Sequence, residues 1–217
     1  KTLGSSVDIV KVGLGLFNRA GLQIVHELVQ TGASVFLDLK LHDIPSQVGD
    51  AVGAITRLGV DYLTVHTGGG AEMLRAAVEE RDRVSANYAA GFPKLLGVTV
   101  LTSLGPDNLR QIGANANVQE VVTQRVRLAS ETGIDGIVCS PADLDFLTEI
   151  PEAGGLIKVT PGIRPAGYGD DDQTRIATPD KAVSAGANIL VVGRPIKLAP
   201  NPKAAADEIR AAMDNGF

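Results

Sequence analysis

Asp38, Lys40 and Asp43 close an otherwise apolar run, Phe36-Leu-Asp-Leu-Lys-Leu-His-Asp-Ile-Pro45. The part from Ser34 to Leu39 reads as a buried strand. Side chains alternate along a strand, so Asp38 and Lys40 share one side and Leu37 and Leu39 the other. Charges on an interior strand face are costly unless paired. An Asp-x-Lys pair there points to a site and not to a solvated surface. The bland alternative is an internal ion pair that only fixes strand register. Lys11, in Val7-Asp-Ile-Val-Lys-Val-Gly13, is a second lysine inside a β-branched strand. Buried lysine is almost always paired, and Asp38 on the next strand is its expected partner. The alternative is an edge strand with Lys11 facing solvent. Asp43 reads either as a site residue or as the N-cap of the next helix, with Pro45 in its first turn. His42 reads as a packing neighbour.

These residues need elements to hold them, and the chain alternates short β-like runs with helical patterns throughout. Strands are predicted at 7–12, 34–39, 62–66, 94–100, 136–140, 156–160 and 188–193. Helices are predicted near 20–30, 47–58, 71–85, 118–131, 143–149, 179–185 and 203–213. Glycines 32, 59, 133 and 186 follow predicted helices, where a C-terminal cap is expected. The spacing is a coarse structural repeat without clear residue-level repetition. It predicts a parallel sheet with helical crossovers, closed as a (β/α)₈ TIM barrel or open and doubly wound. Lys11, Asp38, Lys40, His66, Thr99, Ser103 and Arg194 lie on or just after strands spread along the whole chain. A barrel gathers strand C-termini at one mouth, so the barrel is the expected closure. Seven strands are countable and the sequence opens on Lys1, so one barrel domain over 1–217, lacking its first strand, is expected.

The 217 residues suit one large α/β domain, and 44% hydrophobic content supports a substantial core. A net charge of −5 gives no electrostatic footprint for nucleic acid or an anionic membrane. No segment reads as a membrane span or a signal peptide, so a cytoplasmic protein is expected. The single cysteine, Cys139, lies in an apolar run and reads as a buried thiol. The Gly/Pro-rich polar segment 159–173 follows a strand and reads as a lid. Gly193-Arg194 follows the last strand, where barrels often bind phosphate, and Arg194 offers a bidentate donor. Gly68-Gly-Gly70 reads as a tight turn into a helix.

Six motifs together identify a resemblance. They are Lys-Val-Gly at 11–13, Phe-Leu-Asp-Leu-Lys-x-His-Asp-Ile-Pro at 36–45 and Val-Thr-Val-Leu-Thr-Ser at 98–103. Thr-Pro-Gly-Ile-Arg at 160–164, Asp-Asp-Gln at 171–173 and Val-Gly-Arg-Pro-Ile at 192–196 complete the set. In this order they resemble the bacterial-type orotidine 5′-phosphate decarboxylases along the whole chain. The resemblance implies a (β/α)₈ barrel and a homodimer with shared active sites, taking orotidine 5′-phosphate to UMP without cofactor or metal. It implies Lys11, Asp38 and Lys40 as a charged array, with Asp43 reaching the partner subunit's site. Ser103 would contact the pyrimidine. Gln173, Arg194 and Gly193 would hold phosphate, with Pro161 opening the lid segment. Ser46-Gln47 stands where the family has Asn-Thr, and no residue here takes the place of the family's first-strand Asp. Related barrels with the same Asp-x-Lys strand use Mg²⁺ on sugar phosphates and need an acidic ligand near position 11. A non-catalytic phosphate-binding barrel is the other alternative.

Overall fold

The computed structural model describes residues 2–87, 93–114, 117–165, 168 and 176–216. Its elements run β1 (Ile9–Gly13), α1 (Leu14–Gln30), β2 (Ser34–Leu41), α2 (Pro45–Thr56), β3 (Tyr62–His66), α3 (Gly70–Ser85) and β4 (Lys94–Val98). Then come α4 (Pro106–Gln111), α5 (Val118–Glu131), β5 (Gly136–Val138), α6 (Leu144–Leu147) and β6 (Ile157–Pro161). The chain ends with α7 (Pro179–Ser184), β7 (Ile189–Val191), α8 (Arg194–Lys197) and α9 (Pro202–Asp214). Among the described residues no helix is long and apolar enough to cross a membrane.

Two compact units make up the chain, one of residues 8–98 with 128–136, the other of 1–7, 99–127 and 137–217. In the first unit, β1, β2, β3 and β4 pair in that order, all parallel. Val35, Phe36 and Leu37 of β2, Leu63, Thr64 and Val65 of β3, and Leu95 and Leu96 of β4 form unbroken buried runs. Unbroken burial marks a parallel sheet covered on both faces. On α2, Val48, Val52 and Ile55 are buried, as are Met73, Leu74 and Ala77 of α3. In the second unit β6 pairs with β7 in parallel, and the Cys139 amide donates to the Val159 carbonyl at 3.1 Å. Cys139 is buried, as expected, with its Sγ 4.0 Å from Thr160 Oγ1.

The capping glycines behave as their positions demand: Gly32, Gly59, Gly133 and Gly186 all have φ between 74° and 96°. Three of them open a residue-level repeat that the spacing did not reveal, Gly-x-Asp/Asn at 59–61, 133–135 and 186–188. Its last side chain accepts an amide of the preceding strand. Asp61 takes the Val35 N–H and Asn188 the Lys158 N–H, each at 2.8 Å. Asp135 takes the Leu95 N–H, also at 2.8 Å. Each clamp pins the start of one strand against the start of the next. Helix α1 begins earlier than expected, at Leu14, and kinks at Gly21, where φ is 62° and ψ −158°. The expected helix near 20–30 corresponds to the part of α1 from this kink onward.

Candidate functional site

The first unit assembles the lysine–carboxylate array. Register pairs Gly13 of β1 with Asp38 of β2, bringing Lys11 and Asp38 within reach on neighbouring strands. Lys11 Nζ donates to Asp38 Oδ2 at 3.1 Å, and Lys40 Nζ to Asp38 Oδ1 at 2.6 Å. The Asp38 side chain is 14% exposed, against 34% for Lys11 and 29% for Lys40. Both ammonium groups are therefore paired yet reachable from solvent, and Lys11 does not turn away as on a bare edge strand. Burial alone pushes the Asp38 carboxyl up. The hydrogen bond from Lys40 and the charges of Lys11 and Lys40 outweigh it and hold the group below the usual carboxylate range. Gly13 makes room for this: a Cβ there would stand 2.9 Å from Lys11 Nζ.

Strand β2 was expected to stop at Leu39, but it runs on to Leu41 through an irregularity. Leu37 pairs with Leu63 and Leu41 with Val65, so Asp38, Leu39 and Lys40 oppose Thr64 alone. Extra residues on one strand break the ladder locally and re-aim side chains. Lys40 has φ 54°, the one positive value among described non-glycine residues. A left-handed non-glycine residue costs about 1–2 kcal/mol and persists only where its surroundings hold it. Thr64 was not singled out from the sequence. Its Oγ1 accepts the Lys40 N–H at 2.8 Å and donates to Asp38 Oδ1 at 3.1 Å. The only sequence signal was a polar residue in the run 62–66.

Asp43 is exposed, and its Oδ1 accepts the adjacent Ile44 N–H at 2.7 Å. The N-cap of α2 is Ile44, not Asp43, because Pro45 takes the first helical position. The His42 ring stacks on His66 with centroids 5.0 Å apart and planes 15° from parallel. His66 Nδ1 accepts the Gly68 N–H at 3.1 Å, and the triple glycine turns into α3 as expected. Packing thus accounts for His42.

In the second unit, Ser103 is exposed in a turn before α4. The Thr99 hydroxyl is spent on the Val138 carbonyl at 2.8 Å, and Arg125 also reaches the Thr99 carbonyl. Pro161 ends β6. Beyond it Gly162 has φ 83° and the buried Arg164 lies 5.7 Å from the Tyr168 ring centroid. Gly193 precedes α8 as its N-cap and the half-buried Arg194 is its first residue. Gln173 and the part of the expected lid at 166, 167 and 169–172 lie outside the described residues.

A family model described as "Orotidine 5'-phosphate decarboxylase / HUMPS family" matches residues 1–209. The orotidine 5′-phosphate decarboxylase of Rhodopseudomonas palustris (strain ATCC BAA-98 / CGA009) is 46% identical over 213 residues, covering 97% of this chain and 85% of that protein. The one from Lactobacillus acidophilus is 43% identical over 212 residues, covering 96% and 88%. A crystal structure of the orotidine 5′-phosphate decarboxylase from Lactobacillus acidophilus superposes with TM-score 0.83 at 39% identity, covering 94% of this chain and 86% of that one.

Proposed function

The chain belongs to the orotidine 5′-phosphate decarboxylase / HUMPS family, and from that membership we infer that it converts orotidine 5′-phosphate to UMP and CO₂. It is a carbon–carbon lyase of pyrimidine biosynthesis. The observation that carries this reading is one half-screened carboxylate, Asp38, held between two ammonium groups.

Cleaving the C6–carboxylate bond releases CO₂ and leaves its electron pair on C6, where the ring π-system delocalises it poorly. A preorganised ammonium beside C6 stabilises that pair at no reorganisation cost. Lys40 takes this role, then gives its proton to C6 to form the C–H bond and regains one from water. Asp38 stands near the substrate carboxylate, and the like charge is relieved as CO₂ leaves. Lys11 keeps Asp38 ionised and Lys40 aimed. Ser103 contacts the pyrimidine. The phosphate is taken by Arg194, Gln173 and the Gly193 turn, with Pro161 at the root of a closing segment. Binding energy from that remote phosphate organises the reacting end. Asp43 serves the site of a partner subunit, which makes a homodimer the working unit; its exposure here suits that role. The reading carries with it the family's (β/α)₈ barrel fold and a cytoplasmic location, with no cofactor, metal, nucleic acid or membrane required.

Magnesium-dependent sugar-phosphate chemistry is less well supported. It needs an acidic ligand near position 11, where this chain places an ammonium on Asp38. The deciding assay follows orotidylate absorbance in EDTA. Loss of absorbance is expected. Turnover of a sugar phosphate alone, and only with Mg²⁺, would overturn the proposal, as would no turnover of either.

A further inference from the structure

We propose that Thr64 is a positioning residue for Lys40, its hydroxyl fixing the irregular stretch of β2 that carries both Asp38 and Lys40. The kinetic part of this inference rests on the decarboxylase reading. The geometry is a closed ring of contacts. The Lys40 amide donates to Thr64 Oγ1, Thr64 Oγ1 donates to Asp38 Oδ1, and the same oxygen accepts Lys40 Nζ. Backbone and side chain of one lysine are thus tied to one point on β3. The register explains why that point is Thr64: it is the single β3 residue opposite Asp38, Leu39 and Lys40. An extra stretch of strand leaves its amides off the ladder, and the Thr64 hydroxyl replaces the lost carbonyl partner for Lys40. Thr64 is fully buried, so no water substitutes for the hydroxyl without rearrangement. The left-handed φ of Lys40 is held at this contact.

A threonine inside a strand has a rival explanation, since β-branched residues simply favour strands. The two accounts rank two substitutions in opposite order. Thr64→Val keeps shape and branching but deletes the hydroxyl. Thr64→Ser keeps the hydroxyl but deletes the methyl. If Thr64 positions Lys40, Thr64→Val lowers kcat about 10- to 100-fold, the cost of slight misplacement of a reacting group, with KM within about threefold. Thr64→Ser then stays within about threefold of wild type in kcat, even where it lowers the melting temperature. The Lys40 amide should also exchange with solvent at least about tenfold faster in Thr64→Val, as expected for a lost buried hydrogen bond, with Leu63 and Val65 unchanged. A Thr64→Val enzyme that keeps half of wild-type kcat, or a Thr64→Ser enzyme as impaired as Thr64→Val, overturns the proposal. If wild type does not turn over orotidylate, the decarboxylase reading fails instead. The amide exchange of Lys40 then decides alone, and an unchanged rate in Thr64→Val sinks the positioning role.

Discussion

Asp38 and Asp135 have side chains 14% and 15% exposed, and each carries two cationic partners within the same unit. Asp135 is held by Arg81, whose side chain is 7% exposed, and by Lys94 at 3.3 Å. It also accepts the Leu95 N–H at 2.8 Å while its own amide donates to the Leu95 carbonyl at 3.0 Å. It stands just before β5 as the last residue of a Gly-x-Asp turn. Asp38 stands within the irregular end of β2, and its donors are Lys11, Lys40 and the Thr64 hydroxyl. A carboxylate shared between a strand amide and a buried guanidinium is committed to the fold. One shared between two lysines that remain about a third exposed keeps its charges available to a ligand. Similar burial and equal partner number thus serve stability in one place and chemistry in the other. The backbone tells them apart, since strain gathers at Lys40.

Substitutions should separate the two sites cleanly. Between the two carboxylates, the larger effect on turnover is expected from Asp38→Asn, which removes the charge facing both lysines. Steady-state assay should show kcat down about a thousandfold, as when a preorganised electrostatic partner is lost. Calorimetry should show only a small fall in melting temperature, from the lost stabilisation of the ionised carboxylate. Asp135→Asn should do the reverse. Removing the charge that faces the buried Arg81 guanidinium, which still has the Asp82 carboxylate, costs about 3 kcal/mol, which calorimetry should read as a melting temperature lower by about 10 °C. The kcat of the folded fraction should hold within about twofold.

A smaller effect is expected from Gly13→Ala. The new Cβ would crowd Lys11 Nζ, the free end of a flexible chain, so the fold adjusts easily while the ammonium moves off Asp38. Turnover should fall about tenfold with the melting temperature nearly unchanged, the signature of misaimed charge. The smallest effect concerns pH. The folded-state pKa of Asp38 is lowered, so its stabilising contribution is complete above the unfolded value of about 3.9 and is lost as pH falls through the folded value. Lys11→Met removes one cause of the lowering. Denaturant titration should show lower stability at neutral pH and a shallower decline below about pH 4 than in wild type.

The sequence carried the local part of this picture. Apolar runs and capping glycines located seven strands, because both signals act over a few residues. The Lys11–Asp38 and Lys40–Asp38 pairs were legible because a charged residue in a strand must find a partner. What depends on register between strands was not legible. The three-against-one opposition at Thr64, the left-handed Lys40 and the Asp61, Asp135 and Asn188 clamps need two strands aligned before they exist. Asp43 is not the N-cap because Pro45 takes the first helical position, which leaves Ile44 as the cap.

The most direct test of the array as the reaction centre is orotidylate turnover by Lys40→Ala at saturating substrate, with binding measured separately. Loss of both the stabilising charge and the proton donor should lower kcat by more than about a thousandfold. Affinity for the product UMP should change far less. A Lys40→Ala enzyme retaining a tenth of wild-type kcat would contradict the account, because the chemistry would then run without the ammonium that Asp38 and Thr64 hold in place.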